Sequence, residues 1–127
     1  MITVPVSVGE LIDKLSILHV KKTKIVNQEK LTFINKEFEL LYNMSSYYLN
    51  DVEISKLYHE LVDVNSKLWE VEDELRVIES TKNFDSIFIE LARKVYYTND
   101  ERFSLKNKIN ELTNSEVREQ KDYIEYK

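Results

Sequence analysis

The chain has 127 residues, 43% hydrophobic and 32% charged, which suits one folded domain with a modest core and excludes a disordered polar tract. It contains no cysteine, so neither a disulfide framework nor a thiolate metal site is available. The net charge of −5 is uneven: residues 51–79 carry nine acidic and three basic side chains, which argues against that stretch lying on a nucleic-acid backbone.

One glycine and one proline leave little loop punctuation, so long helices joined by short turns are expected. Residues 1–6 read as a short extended arm, because Pro5 withholds a backbone donor and restricts its neighbour. Neither a basic-then-apolar secretion signal nor an apolar run of membrane-spanning length is read, so a cytoplasmic protein without a membrane partner is expected.

Residues 7–44 are predicted to hold two helices. Ser7 and Glu10 have capping-box spacing and start the first, whose Val8, Leu11, Ile12, Leu15, Leu18 and Ile25 share one face. Lys21, Lys22 and Lys24 read as a solvated last turn that complements the helix dipole. The pattern shifts phase around Asn27, and Leu31, Ile34, Phe38 and Leu41 form the second helix, ending near Tyr42 or Met44. Ser45 to Asn50 is the best loop candidate, and Asp51 the cap of the third helix.

Residues 51–113 organise the chain. Ile54, Leu57, Leu61, Val64, Leu68, Val71, Leu75 and Ile78 alternate spacings of three and four, a coiled-coil-like seam over four heptads. Phe88, Leu91, Val95, Thr98, Arg102, Leu105, Ile109 and Leu112 repeat it. Folding back at Asn83 pairs the two runs layer by layer and sets Glu74 opposite Lys94, Lys67 opposite Glu101, and Glu60 opposite Lys108. A second apolar face, Tyr58, Val62 and Trp69 with Ile89, Ala92, Tyr96 and Phe103, is expected to be covered by the first helix. Residues 114–127 form a charged tail, expected to be partly ordered at best unless a partner holds Tyr123, Ile124 and Tyr126.

The fold class is therefore all-α: an antiparallel helical bundle, residues 1–127 as one domain, with a long helical hairpin and an extended arm.

Arg102 is the informative polar residue, because an arginine in a seam needs a carboxylate and most of its donors satisfied. Glu60, Asp63, Glu10 and Asp13 are the candidates. The favoured reading is a register-fixing ion pair. The alternative is an anion or ligand pocket in which Lys14, Glu72, Arg76, Asn99 and Arg102 converge. Glu60, Asp63, Glu70, Glu72, Asp73 and Glu74 do not converge as a metal-binding set would. His19 and His59 read as surface residues, so no metal, cofactor or catalytic residue is predicted.

The run Val4–Leu15, the run Leu68–Arg76, and Phe88–Tyr96 with Asn99–Arg102 resemble a family of short, uncharacterised all-helical proteins of bacteria and tailed phages. That resemblance implies a helical fold and no activity. The first helix is also similar to that of helical chorismate mutases, which implies a pocket of arginine and lysine between helices; a match for their full pocket set is lacking. Two functions follow as expectations. One is a non-enzymatic interaction or assembly protein, a homodimer using aromatic surface in residues 33–48 and 123–126. The other is a small-anion-binding bundle enzyme.

Overall fold

The computed structural model describes residues 1–126. It places four helices: α1 Val8–Lys24, α2 Gln28–Leu49, α3 Val52–Thr81 and α4 Ser86–Thr113. Each begins where a short polar side chain accepts an otherwise unpaired backbone N–H. Ser7 Oγ accepts from Glu10 at 3.0 Å, Asn27 Oδ1 from Lys30 at 2.9 Å, Asp51 Oδ1 from Glu53 at 2.9 Å, and Asp85 Oδ1 from Ile87 at 3.0 Å. The capping residues proposed for α1 and α3 are thus the ones used, and Asp85 starts α4. With no glycine at hand, Lys82 and Asn114 take the left-handed conformation that stops α3 and α4.

Four residues connect α3 to α4, so the two run antiparallel as a long hairpin. Apart from Tyr58, its buried apolar residues are seam residues: Ile54, Leu57, Leu61, Val64 and Val71 from α3, Leu91, Leu105 and Ile109 from α4. Glu60, Lys67, Glu101 and Lys108 line one surface groove, consistent with the expected register. Among the described residues none of the three flanking charge pairs closes, since an exposed pair gains little over the freedom of two long side chains.

α1 lies against the near half of the hairpin. Ile12 and Leu15, fully buried, meet Ile54, Leu57, Tyr58, Leu61, Leu105 and Ile109, and α2 closes the edge with Phe38, Leu41, Tyr48 and Leu49. Gly9 permits the close approach of α1 to α4. Its N–H donates to Asn110 Oδ1 at 2.7 Å, and a Cβ there would press on the Lys106 carbonyl oxygen. Among the described residues no helix is long and apolar enough to cross a membrane.

Two expectations need correction. Ser45–Asn50 is not a loop: α2 continues to Leu49, because Ser45 is a small seam residue rather than a breaker. Phe38, Leu41, Ser45 and Tyr48 step by three and four. Ser45 is fully buried and donates its hydroxyl to the Leu41 carbonyl at 2.7 Å.

The second hairpin face is covered only in part. At 17 residues α1 spans about 25 Å, against about 45 Å for the 30 residues of α3. Tyr58 is buried and Trp69 and Phe103 half-buried, but Ile89 and Tyr96 are exposed, as are Val77, Phe84 and Ile87 near the hairpin tip.

The tail packs against α4. It turns at Asn114 and runs back along α4, with Glu119 at Lys106, Lys121 over the Phe103 ring, and Tyr126 against Tyr96. Its last residue, Lys127, lies outside the described residues.

Candidate functional site

On α1, Glu10, Asp13 and Ser16 follow one another at spacings of three, which puts all three on one face. That face meets Asn65 of α3 and the α4 pair Arg102 and Lys106, four apart and so also stacked. Asp13 sits at the centre, 0% exposed. Arg102 grips it side-on: Nε donates to Oδ1 at 3.0 Å and Oδ2 at 3.1 Å, and one terminal nitrogen donates to Oδ2 at 2.6 Å. Asn65 Nδ2 donates to Asp13 Oδ1 at 3.0 Å and to Ser16 Oγ at 2.8 Å, while Ser16 Oγ donates to the Asp13 carbonyl at 2.6 Å.

Lys106 extends the network. Its ammonium lies 2.7 Å from Glu10, 3.0 Å from Glu119 and 3.8 Å from Asp13. Burial works against that charge, yet hydrogen bonds to Glu10 and Glu119 and the field of Asp13 hold its pKa above the ordinary lysine value. For Arg102 the hydrogen bond to Asp13 outweighs burial in the same direction. Glu119, bonded to Lys121 and Lys106, is held below the usual carboxylate range. Arg102, Lys106 and Lys121 therefore each already have a carboxylate.

Arg102 forms the wall between two clefts. The larger, ≈ 720 Å³, lies between α4 and the tail and contains Asn99, Phe103, Lys106, Tyr123 and Tyr126. The smaller, ≈ 440 Å³, lies between α1 and α3 and contains Trp69, Glu72 and Arg76. The five residues expected to converge are thus divided. Asn99 faces the first cleft with Arg102, and Glu72 and Arg76 face the second, where they pair with each other at 2.6 Å. Lys14 joins neither cleft. It follows Asp13 by one residue, a turn of about 100° around the helix, and its ammonium lies 3.7 Å from Glu37 of α2.

Asp13 and Glu10 were two of the four carboxylates the sequence offered to Arg102; Asp13 is the one it binds, and Glu10 pairs with Lys106 instead. Asp63 and Glu60 lie at a different groove. Lys106 carries a sequence signal in its position one turn beyond Arg102, whereas Glu119 carries none, since nothing local predicts where the tail turns.

His19 departs from the surface reading. It is half-buried, with Nδ1 2.9 Å from the Tyr58 hydroxyl, while His59 stays exposed. Burial, then the charges of His59 and Lys22, lower the His19 pKa. Burial pushes the Tyr58 phenol up to about 12, with Tyr42 adding to the shift.

Chemically, Asp13 accepts four hydrogen bonds from three donor nitrogens and is completely enclosed, so it is not poised to accept a substrate proton. Among the described residues no three His, Asp or Glu side chains are grouped to hold a metal ion. Residues 2–126 match a family described as "Family of unknown function (DUF6165)". Neither a curated protein nor a solved structure matches the chain.

Proposed function

The chain belongs to that family of unknown function, and from this premise we propose that it is a non-enzymatic helical interaction and assembly protein, acting in the cytoplasm as a homodimer. The observation that carries the reading is the outer face of α2. Phe33, Leu40, Met44 and Tyr47 are 72%, 45%, 59% and 80% exposed and step by seven, four and three, the spacing of a helix-packing seam. α2 buries only Ile34 and Ser45 within the monomer, so its second apolar stripe, turned about 110° from the first, has no intramolecular use. The rim of that stripe holds Glu29, Lys30, Lys36 and Glu37, two charges of each sign, so two copies of the face meet without net repulsion.

Light scattering at tens of micromolar tests the reading. The expected result is twice the chain mass for the natural protein and a monomer for Phe33→Glu/Tyr47→Glu, with unchanged helix content because both side chains are exposed. A monomeric natural protein at that concentration overturns it.

The anion-binding enzyme reading needs a cation left over for the ligand. Arg102, Lys106, Lys121 and Arg76 each hold a carboxylate of this chain, so the geometry gives that reading no support.

A further inference from the structure

In the cleft between α4 and the tail, the charged group that lacks a counter-ion among the described residues is an acid. The Asp100 carboxylate is half-buried, accepts a hydrogen bond from the Tyr126 hydroxyl, and has no lysine or arginine of the described residues within ion-pair distance. Aromatic rings surround it. Tyr96 and Tyr126 stand edge to face with centroids 5.0 Å apart, and Phe103 and Tyr123 complete the wall. The chain's own contacts display the chemistry of these rings: the Lys121 ammonium lies 5.7 Å from the Phe103 centroid and 5.5 Å from that of Tyr123. Glu119, at 2.7 Å, draws that ammonium to its own side, so among the described residues Asp100 remains uncompensated.

We propose that this cleft binds a small organic cation, its ammonium held against Asp100 and enclosed by the rings of Tyr96, Phe103, Tyr123 and Tyr126. A ring face attracts a cation through its quadrupole, more strongly once water is displaced, and a nearby carboxylate supplies the full counter-charge. The volume, ≈ 720 Å³, is that of a site for a small molecule rather than a single ion. Among the described residues an anion has no such partner, because Arg102, Lys106 and Lys121 are neutralised by Asp13, Glu10 and Glu119. This site is independent of the α2 face, and either reading can fail without the other.

NMR titration of the full chain with choline, benzyltrimethylammonium and 3,3-dimethylbutan-1-ol, the uncharged isostere of choline, tests the proposal. Both cations should give saturable shifts at Phe103 and Tyr126, with the isostere at least about tenfold weaker. Asp100→Asn keeps an acceptor for Tyr126 and should weaken cation binding about tenfold without lowering the melting temperature. Tyr123→Leu alters an exposed side chain, so the fold should survive, and should weaken binding about threefold. Absence of saturation in the millimolar range, equal binding of the isostere, or unchanged binding by both variants overturns the proposal.

Discussion

Replacing Arg102 by methionine tests the central network most directly. The substitution keeps a long apolar stem in the seam and removes every donor that reaches Asp13 from the guanidinium. Asp13 stays at 0% exposure, left with Asn65 at 3.0 Å and an ammonium at 3.8 Å. Removing one member of a buried ion pair typically costs 3–5 kcal/mol, because the remaining charge is uncompensated. The Arg102 side chain is itself 26% exposed, so solvent screens part of the interaction and the lower end, about 3 kcal/mol, is expected. At about 3–4 °C per kcal/mol for a chain of this size, that is a fall of roughly 10 °C in Tm. Thermal and urea unfolding followed by helical circular dichroism reads both quantities. The double variant Asp13→Leu/Arg102→Met should recover most of the loss, since it removes both charges and Asn65 keeps its bond to Ser16. An Arg102→Met variant within about 1 kcal/mol of the natural protein would refute the enclosed-carboxylate argument.

Other outcomes follow from single contacts. Gly9→Ala should cost about 2 kcal/mol or more in urea unfolding, because its Cβ meets the Lys106 carbonyl and the Asn110 amide, and backbone cannot rotate away. Leu61→Ala, at a fully buried layer, should cost about 3 kcal/mol, whereas Ile89→Lys near the bare hairpin tip should change stability by less than about 0.5 kcal/mol. His19 is held neutral below its ordinary value of 6.5, so the unfolded chain binds its proton first. Its contribution is therefore full above pH 6.5 and should decline as pH falls below 6.5, and His19→Gln should remove that slope in a series of melts. For Tyr58 the folded phenol keeps its proton to about pH 12 while the unfolded one loses it near 10. Stability should therefore fall between those values, and Tyr58→Phe should abolish the fall.

The sequence by itself determined the elements and their pairing. Periodicity is a local property: seam residues at spacings of three and four lie on one helix face whatever surrounds them, so the α3–α4 hairpin could be read from Ile54 to Ile109 without coordinates. Caps are equally local, as Ser7 and Asp51 bond N–H groups within three residues. The Ser45 error shows the limit of residue-type reasoning, since its position in the stripe, and not its polarity, decides its burial.

Which carboxylate meets Arg102, how far α1 reaches along the hairpin, and where the tail turns were decided only by the tertiary structure. Glu10, Asp13, Glu60 and Asp63 satisfy the same local rules. What separates them is the rotation and depth of α1 in its groove, set by Gly9 against Lys106 and by the packing of Ile12 and Leu15. The clefts on either side of Arg102 are products of that docking. Their walls come from residues as far apart as Glu10 and Tyr126, and no spacing along the chain encodes a distance between elements that meet only after folding.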